Sequence, residues 1–202
     1  MELKYGTWTV SSYEPADARA LCAAGFSPIT AALCSRGYRD ADAAREFLSC
    51  SYPLSSPFDL LDMDKAAARV RLALQRREHI AVFGDYDVDG ITATCLLTEY
   101  LRSKGGHVTS YIPARLEEGY GLNPIAIDTL KKQGVELIVT VDCGITANHE
   151  AALCRELGID LVITDHHECK SELPQAIALV DPHRKDQPQP VTEMAGVGVA
   201  FK

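Results

Sequence analysis

The stretch IAVFGDYDVDGIT, residues 80–92, decides the fold. Ile80–Phe83 is a short unbroken apolar run, the pattern of a strand buried on both faces. Gly84 and three alternating aspartates break it, and an apolar-periodic segment then runs from Ile91 to Ser103 and stops at Gly105–Gly106. The same rhythm of short strand, polar turn and helix recurs downstream. Val108–Ile112, Leu137–Val141, Leu161–Ile163 and Ile177–Val180 read as further strands. Helices are expected at Pro124–Gln133, with Asn123 as cap and Gly134 as stop, and at Ala147–Leu157, with Gly158 as stop. Apolar strands separated by helices give an α/β fold: a parallel sheet of about five strands with helices on both faces.

Residues 1–78 read differently, as a small helical N-terminal region with a lead-in helix, set before the α/β domain of residues 79–202. Pro15–Ala24, Pro28–Ser35 and Asp40–Ser49 have helical character. Gly25 and Gly37 close the first two, while Ser27 and Asp40 are candidate caps. Ser51–Asp59, with Pro53 and Pro57, reads as a loop. Asp62 or Asp64 opens the lead-in helix, which runs to about Glu78. Its basic residues (Lys65, Arg69, Arg71, Arg76, Arg77) are read as a solvated face. At the other end, a loop with Pro182, Pro188 and Pro190 leads into the apolar run AGVGVAFK, which has no closing cap.

Composition bounds the function. Apolar content of 47% and charged content of 24% are globular values. No apolar run reaches membrane-spanning length, and MELKYGTWTV lacks the basic-then-apolar pattern of a secretory signal. Seven cysteines, odd in number and without a CxxC pair, fit reduced packing residues and a cytoplasmic setting. Cys143 is read in this way and not as a nucleophile. The net charge of −8 argues against a polyanionic partner only if the acids are solvated surface.

Several of them are not expected to be. Four of the five strands run into a carboxylate: Asp85 (with Asp87 and Asp89 beyond it), Asp142, Asp165 in Asp165-His166-His167-Glu168, and Asp181. A parallel sheet brings all strand C-termini to one edge, where open α/β folds bind ligands. Such a cluster repels itself unless cations neutralise it. Aspartate oxygens mixed with imidazole nitrogens suit Mn²⁺ or Mg²⁺, and two such ions could clamp a phosphate. Any one strand-end aspartate is more often a cap or turn residue, Asp181 above all because Pro182 follows it. His79, His107 and His149 are read as structural or solvent-facing. Gly196-Val197-Gly198 lacks the third glycine and the strand–helix context of a dinucleotide site.

GDYDVDGIT (84–92), YIPARLEEGYGLN (111–123), VTVDCGI (139–145), ITDHHE (163–168), LVDPHR (179–184) and AGVGVAFK (195–202) together resemble the DHH phosphoesterase superfamily, and within it the RecJ family of single-stranded-DNA exonucleases. Trp8, FSPITAALCSRG and LLDMDKAAARV fit the same pattern. The resemblance implies a two-metal phosphodiesterase that removes nucleotides from the 5′ end of single-stranded DNA, in repair and recombination, with two Mn²⁺ or Mg²⁺ ions. It implies metal ligation by Asp85, Asp87, Asp89, Asp142, His166 and His167, of which Asp142, His166 and His167 are catalytic and Asp142 bridges the ions. Asp165 would orient a histidine, and Arg115, Tyr120, Gly121 and His183 would face substrate. It further implies single-strand-binding or helicase partners and no membrane association. Members of the family continue past AGVGVAFK to another strand-end aspartate and to DNA-holding domains, so the chain is expected to be an N-terminal portion. Two other readings stand beside this one: a non-catalytic domain that binds metal or a partner, and a phosphoesterase for short oligonucleotides or cyclic dinucleotides.

Overall fold

The structure, a computed structural model, describes residues 12–49, 54–114, 121–188, 191 and 194–202. Trp8, residues 51–53 of the 51–59 loop, Arg115, Tyr120 and Pro190 lie outside them. The chain divides into two compact units, Met1–Leu54 and Ser55–Lys202.

In the first unit α1 spans Pro15–Ala23, α2 Thr30–Ser35 and α3 Ala41–Ser49. Leu21, Leu33, Cys34 and Ala44 form its small core. Asp40 caps α3, accepting from the N–H groups of Asp42 (3.0 Å) and Ala43 (2.8 Å). The cap expected at Ser27 is not formed. Ser27–Ile29 is a 3₁₀ turn leading into α2, and the Thr30 hydroxyl donates to the Phe26 carbonyl at 2.8 Å.

The described residues of the second unit hold five strands: β1 His79–Gly84, β2 His107–Tyr111, β3 Leu137–Val141, β4 Asp160–Thr164 and β5 Ala178–Val180. They form one all-parallel sheet in the order β2-β1-β3-β4-β5. Five helices accompany them: α4 Met63–Arg76, α5 Val88–Ser103, α6 Pro124–Lys132, α7 Asn148–Glu156 and α8 Gly196–Phe201. Strand alternation splits the core in two. Ile80, Val82, Val139 and Val141 pack with Ala73 of α4, Ala93 and Leu101 of α5 and Val199 of α8. Ala81, Phe83, Ile138 and Ile163 pack on the other face with Ile127 and Leu130 of α6 and Cys154 of α7. Both faces are therefore covered, as a parallel sheet requires.

The lead-in helix α4 belongs to this second unit. Asp62, in a left-handed backbone at its entrance, forms no helix cap. Its carboxylate instead accepts from Arg184 (2.7 Å) and the Leu179 N–H (3.4 Å), tying the helix to the segment around β5. Arg69, expected on a solvated face, is nearly buried and pairs with Glu78 (2.5 Å) and Asp160 (2.6 Å). No helix among the described residues is long and apolar enough to cross a membrane.

Two features position a site. The strand order reverses between β1 and β3, which opens a crevice at the C-terminal rim there. The register also aligns Gly84 with Val141, Val141 with Thr164, and Thr164 with Val180. The next residue of each strand is an aspartate, so Asp85, Asp142, Asp165 and Asp181 stand in one row.

Candidate metal centre

All four aspartates of the row are buried: Asp85 is 3% exposed, Asp142 1%, Asp165 1% and Asp181 0%. Buried carboxylates need partners, and the four find very different ones.

Asp165 is saturated. Its oxygens accept from the backbone N–H groups of Ile145 (2.9 Å), His166 (2.7 Å) and His167 (3.3 Å), and its Oδ1 lies 2.7 Å from His167 Nδ1. Burial pushes its pKa upward, but these donors, led by His167, outweigh burial and hold it below the ordinary carboxylate value. The carboxylate therefore accepts a hydrogen bond from the Nδ1–H of His167, which fixes the orientation of the ring. The same contact raises His167 to about 9.

Asp142 is the opposite case. Its Oδ1 is buried and makes no hydrogen bond. His166 Nε2 lies 3.0 Å from that oxygen without hydrogen-bond alignment, and 3.5 Å from Asp89 Oδ2. Burial, then the neighbouring charges of Asp89 and Asp87, push Asp142 up to about 7. Its backbone is left-handed, φ +60°, and Gly144 follows at φ +110°. Asp tolerates this conformation better than most residues, yet it still costs on the order of 1–3 kcal/mol. Strain of this kind, kept at a buried charged group, is characteristic of functional sites.

Asp85 also has a buried oxygen, Oδ1, with no hydrogen-bond partner. Gly90 makes room beside it, since a side-chain carbon there would lie 2.5 Å from the Asp85 carbonyl oxygen. Helix α5 begins at Val88, three residues earlier than the apolar pattern indicates. Asp87 is its cap, accepting from the Gly90 N–H at 2.9 Å. The cap and first turn of the helix thus carry Asp87 and Asp89.

Two groups of side chains converge closely enough to hold a metal ion: Asp85, Asp87 and Asp142 in one, and Asp142, His166 and His167 in the other. Within each, the ligand atoms lie within 4.8 Å of one another, and Asp142 is common to both. Asp89 belongs to neither group. It stands beside His166, and its two oxygens accept from the N–H groups of Gly196 and Val197, both at 2.7 Å. That contact spans more than a hundred residues of sequence, and no local signal announces it.

Asp181 forms the local turn expected of it, accepting from the His183 N–H at 2.7 Å. It is also wholly buried, and burial pushes it up to about 6. His183 and Gly121 lie outside both groups. Gly121, at φ +73°, makes the turn into α6, where Asn123 caps by accepting from Ala126 N–H at 2.9 Å. Cys143 is buried against the Phe83 carbonyl, and burial raises its thiol pKa well above the ordinary value. His79 sits at the far edge of the sheet, bonded to Thr109 and Gln133, and His149 is exposed.

The chain is similar to several known proteins. The single-stranded-DNA-specific exonuclease RecJ of Bacillus subtilis is 44% identical over 179 residues, which is 88% of this chain and 23% of that protein. RecJ of Escherichia coli K12 is 38% identical over 168 residues, 83% of this chain and 29% of that protein. The chain therefore spans about a quarter of the length of these curated relatives. The crystal structure of exonuclease RecJ bound to manganese superposes with a TM-score of 0.67 at 37% identity, covering 74% of this chain and 37% of that one. The RecJ structure from Thermus thermophilus in complex with Mn²⁺ gives 0.69 at 30% identity, covering 95% and 27%. The sequence model of the DHH family's N-terminal domain matches residues 79–202, the whole sheet and its rim. By that match, which takes in well over half of its residues, the chain belongs to the DHH family.

Proposed function

We propose that this chain carries the two-metal centre of a phosphodiesterase that degrades single-stranded DNA from its 5′ end, with Mn²⁺ or Mg²⁺ as the ions. The observation that carries the reading is the pair of ligand groups sharing Asp142, with Asp142 Oδ1 and Asp85 Oδ1 buried and unbonded. Buried carboxylate oxygens left in this state are neutralised by a bound cation or, without one, by a proton. The donor set also fits the ions: oxygens with imidazole and no thiolate favour Mn²⁺ or Mg²⁺ over structural zinc. The related RecJ structures named above hold manganese, and the related proteins are named for action on single-stranded DNA.

In this reading Asp85, Asp87 and Asp142 hold one ion. Asp142, His166 and His167 hold the other, with Asp89 beside His166. Bound divalent ions supply activation of water and neutralisation of the departing oxygen. The residues do the rest. Asp142 fixes the spacing of the two positions, and Asp165 keeps the His167 ring oriented with Nε2 directed at an ion or a phosphate oxygen. Two divalent ions would cut the net charge of −8 to about −4, with the positive charge placed at the rim where a phosphate must sit. Arg115, Tyr120, Gly121 and His183 are assigned to the substrate strand by family resemblance. Residues 79–202 form the catalytic portion and residues 1–78 the helical N-terminal region and lead-in helix. A cytoplasmic role in DNA repair and recombination, beside single-strand-binding or helicase partners, completes the proposal.

The test uses the purified chain, Mn²⁺ and single-stranded DNA labelled at its 5′ end. Release of labelled mononucleotide, absent with a 3′ label at early times and absent with Asp142→Asn, is the expected result. Cleavage confined to short oligonucleotides or cyclic dinucleotides would replace DNA as the substrate. Tight metal binding with no hydrolysis of any phosphodiester would make the domain non-catalytic.

A further inference from the structure

The segment at Ala195–Phe201, which the reaction as described does not use, lies against the metal centre at two points. The N–H groups of Gly196 and Val197 both donate to Asp89 at 2.7 Å. The Gly196 Cα also packs directly on Asp142. A side-chain carbon at position 196 would stand 2.5 Å from Asp142 Oδ1, 2.6 Å from its Cβ and 2.7 Å from its Cγ. Gly196 is not among the glycines with positive φ, so its backbone is one that any residue can adopt. The demand for glycine here is therefore for space beside one carboxylate and not for an unusual turn. Gly198, two residues on, makes the useful contrast, because the atoms nearest a side-chain carbon there would be those of the flexible Met194 side chain, at 3.1 Å and beyond.

We infer that Gly196 is a positioning residue for the metal centre: its bare Cα seats the Ala195–Val197 turn against Asp142 while the turn's N–H groups orient Asp89. The inference rests on the two-metal reading proposed above. It makes the first glycine of AGVG a backstop that fixes two carboxylates, Asp89 in the first turn of α5 and Asp142 just after β3. Groups that orient ligands in this way typically change metal affinity by about 10- to 100-fold when disturbed.

The test is Mn²⁺ titration of the full chain by calorimetry, with the Mn²⁺ electron paramagnetic resonance spectrum recorded alongside. Wild type, Gly196→Ala and Val199→Ala are compared. Val199→Ala opens a hole on the buried side of the same helix, three residues from Gly196, and so reports simple loosening of α8. A loss of about 10- to 100-fold in affinity for Gly196→Ala, with an altered spectrum and near-normal affinity for Val199→Ala, is expected. Unchanged binding in Gly196→Ala, or equal losses in both variants, would overturn the inference. Wild type that binds no Mn²⁺ would instead defeat the metal reading itself. Should Gly196→Ala fail to fold, Mg²⁺ titration of the wild type decides. The Gly196 and Val197 amide resonances should shift on binding, and unmoved resonances would overturn the inference.

Discussion

The two ends of the sheet bury charge in opposite ways. At the N-terminal edge, Arg69 reaches Glu78 and Asp160, and His79 bonds through both ring nitrogens while stacking on His107 at 3.9 Å. One buried guanidinium nitrogen there, Arg69 Nη1, lacks a partner. At the C-terminal rim, like charges are packed together, a left-handed aspartate is held at the centre, and carboxylate oxygens stay unbonded. Charge matched by countercharge fastens helix α4 to the strands. Buried carboxylate oxygens without a hydrogen bond among the described residues mark the end proposed to hold metal.

Exchanging the properties of the two ends tests that contrast. Asp142→Asn removes the shared ligand and should reduce Mn²⁺ affinity by well over 100-fold. It should also stabilise the metal-free protein at pH 8 by on the order of 2 kcal/mol, because a crowded buried charge is gone. Calorimetry and chemical denaturation check the two halves. Arg69→Met should do the reverse, destabilising the fold by about 3–5 kcal/mol by stranding Glu78, with Mn²⁺ affinity of the folded protein unchanged. A metal defect there would erase the distinction between the ends. Asp165→Asn, which loses the carboxylate that orients His167, should lower metal affinity by about 10- to 100-fold with a smaller effect on folding.

The smallest expected effect is in pH. The folded-state pKa of Asp142, about 7, lies above its ordinary value of 3.8, so the native state holds a proton that the unfolded chain releases. Its contribution to metal-free stability is therefore greatest below about pH 4 and is lost as pH rises through 7. His167, raised from 6.5 to about 9, acts in the same direction: full below about 6.5 and lost through 9. Metal binding opposes both protons, so affinity should rise between pH 6 and 8. Melting curves with chelator and with Mn²⁺ across pH 5–9 should diverge as pH increases. Parallel curves would remove the linkage.

The sequence makes one end of the sheet far more legible than the other. The rim acids can be read because each directly follows an apolar strand, and parallel pairing sends all such positions to one edge. The starting point of α5 is harder to read, because Asp87 serves as both cap and candidate ligand and the apolar period begins only beyond it. Contacts between distant segments leave no periodic trace. Arg69 looks like one more base on a solvated helix until β4 supplies Asp160. Asp62 looks like a cap until Arg184 takes its carboxylate. Gly196 looks like one more residue of an uncapped apolar run until Asp142 is seen against it. In each case the partner lies far away in sequence, and only the folded register brings the pair together.

The central claim is that a single carboxylate, Asp142, belongs to both metal positions. Electron paramagnetic resonance of the chain saturated with Mn²⁺ tests this most directly. Two ions joined through Asp142 should give a broadened, exchange-coupled spectrum that collapses to that of isolated Mn²⁺, or disappears, in Asp142→Asn. A saturated wild type showing only isolated, uncoupled Mn²⁺ would contradict the account.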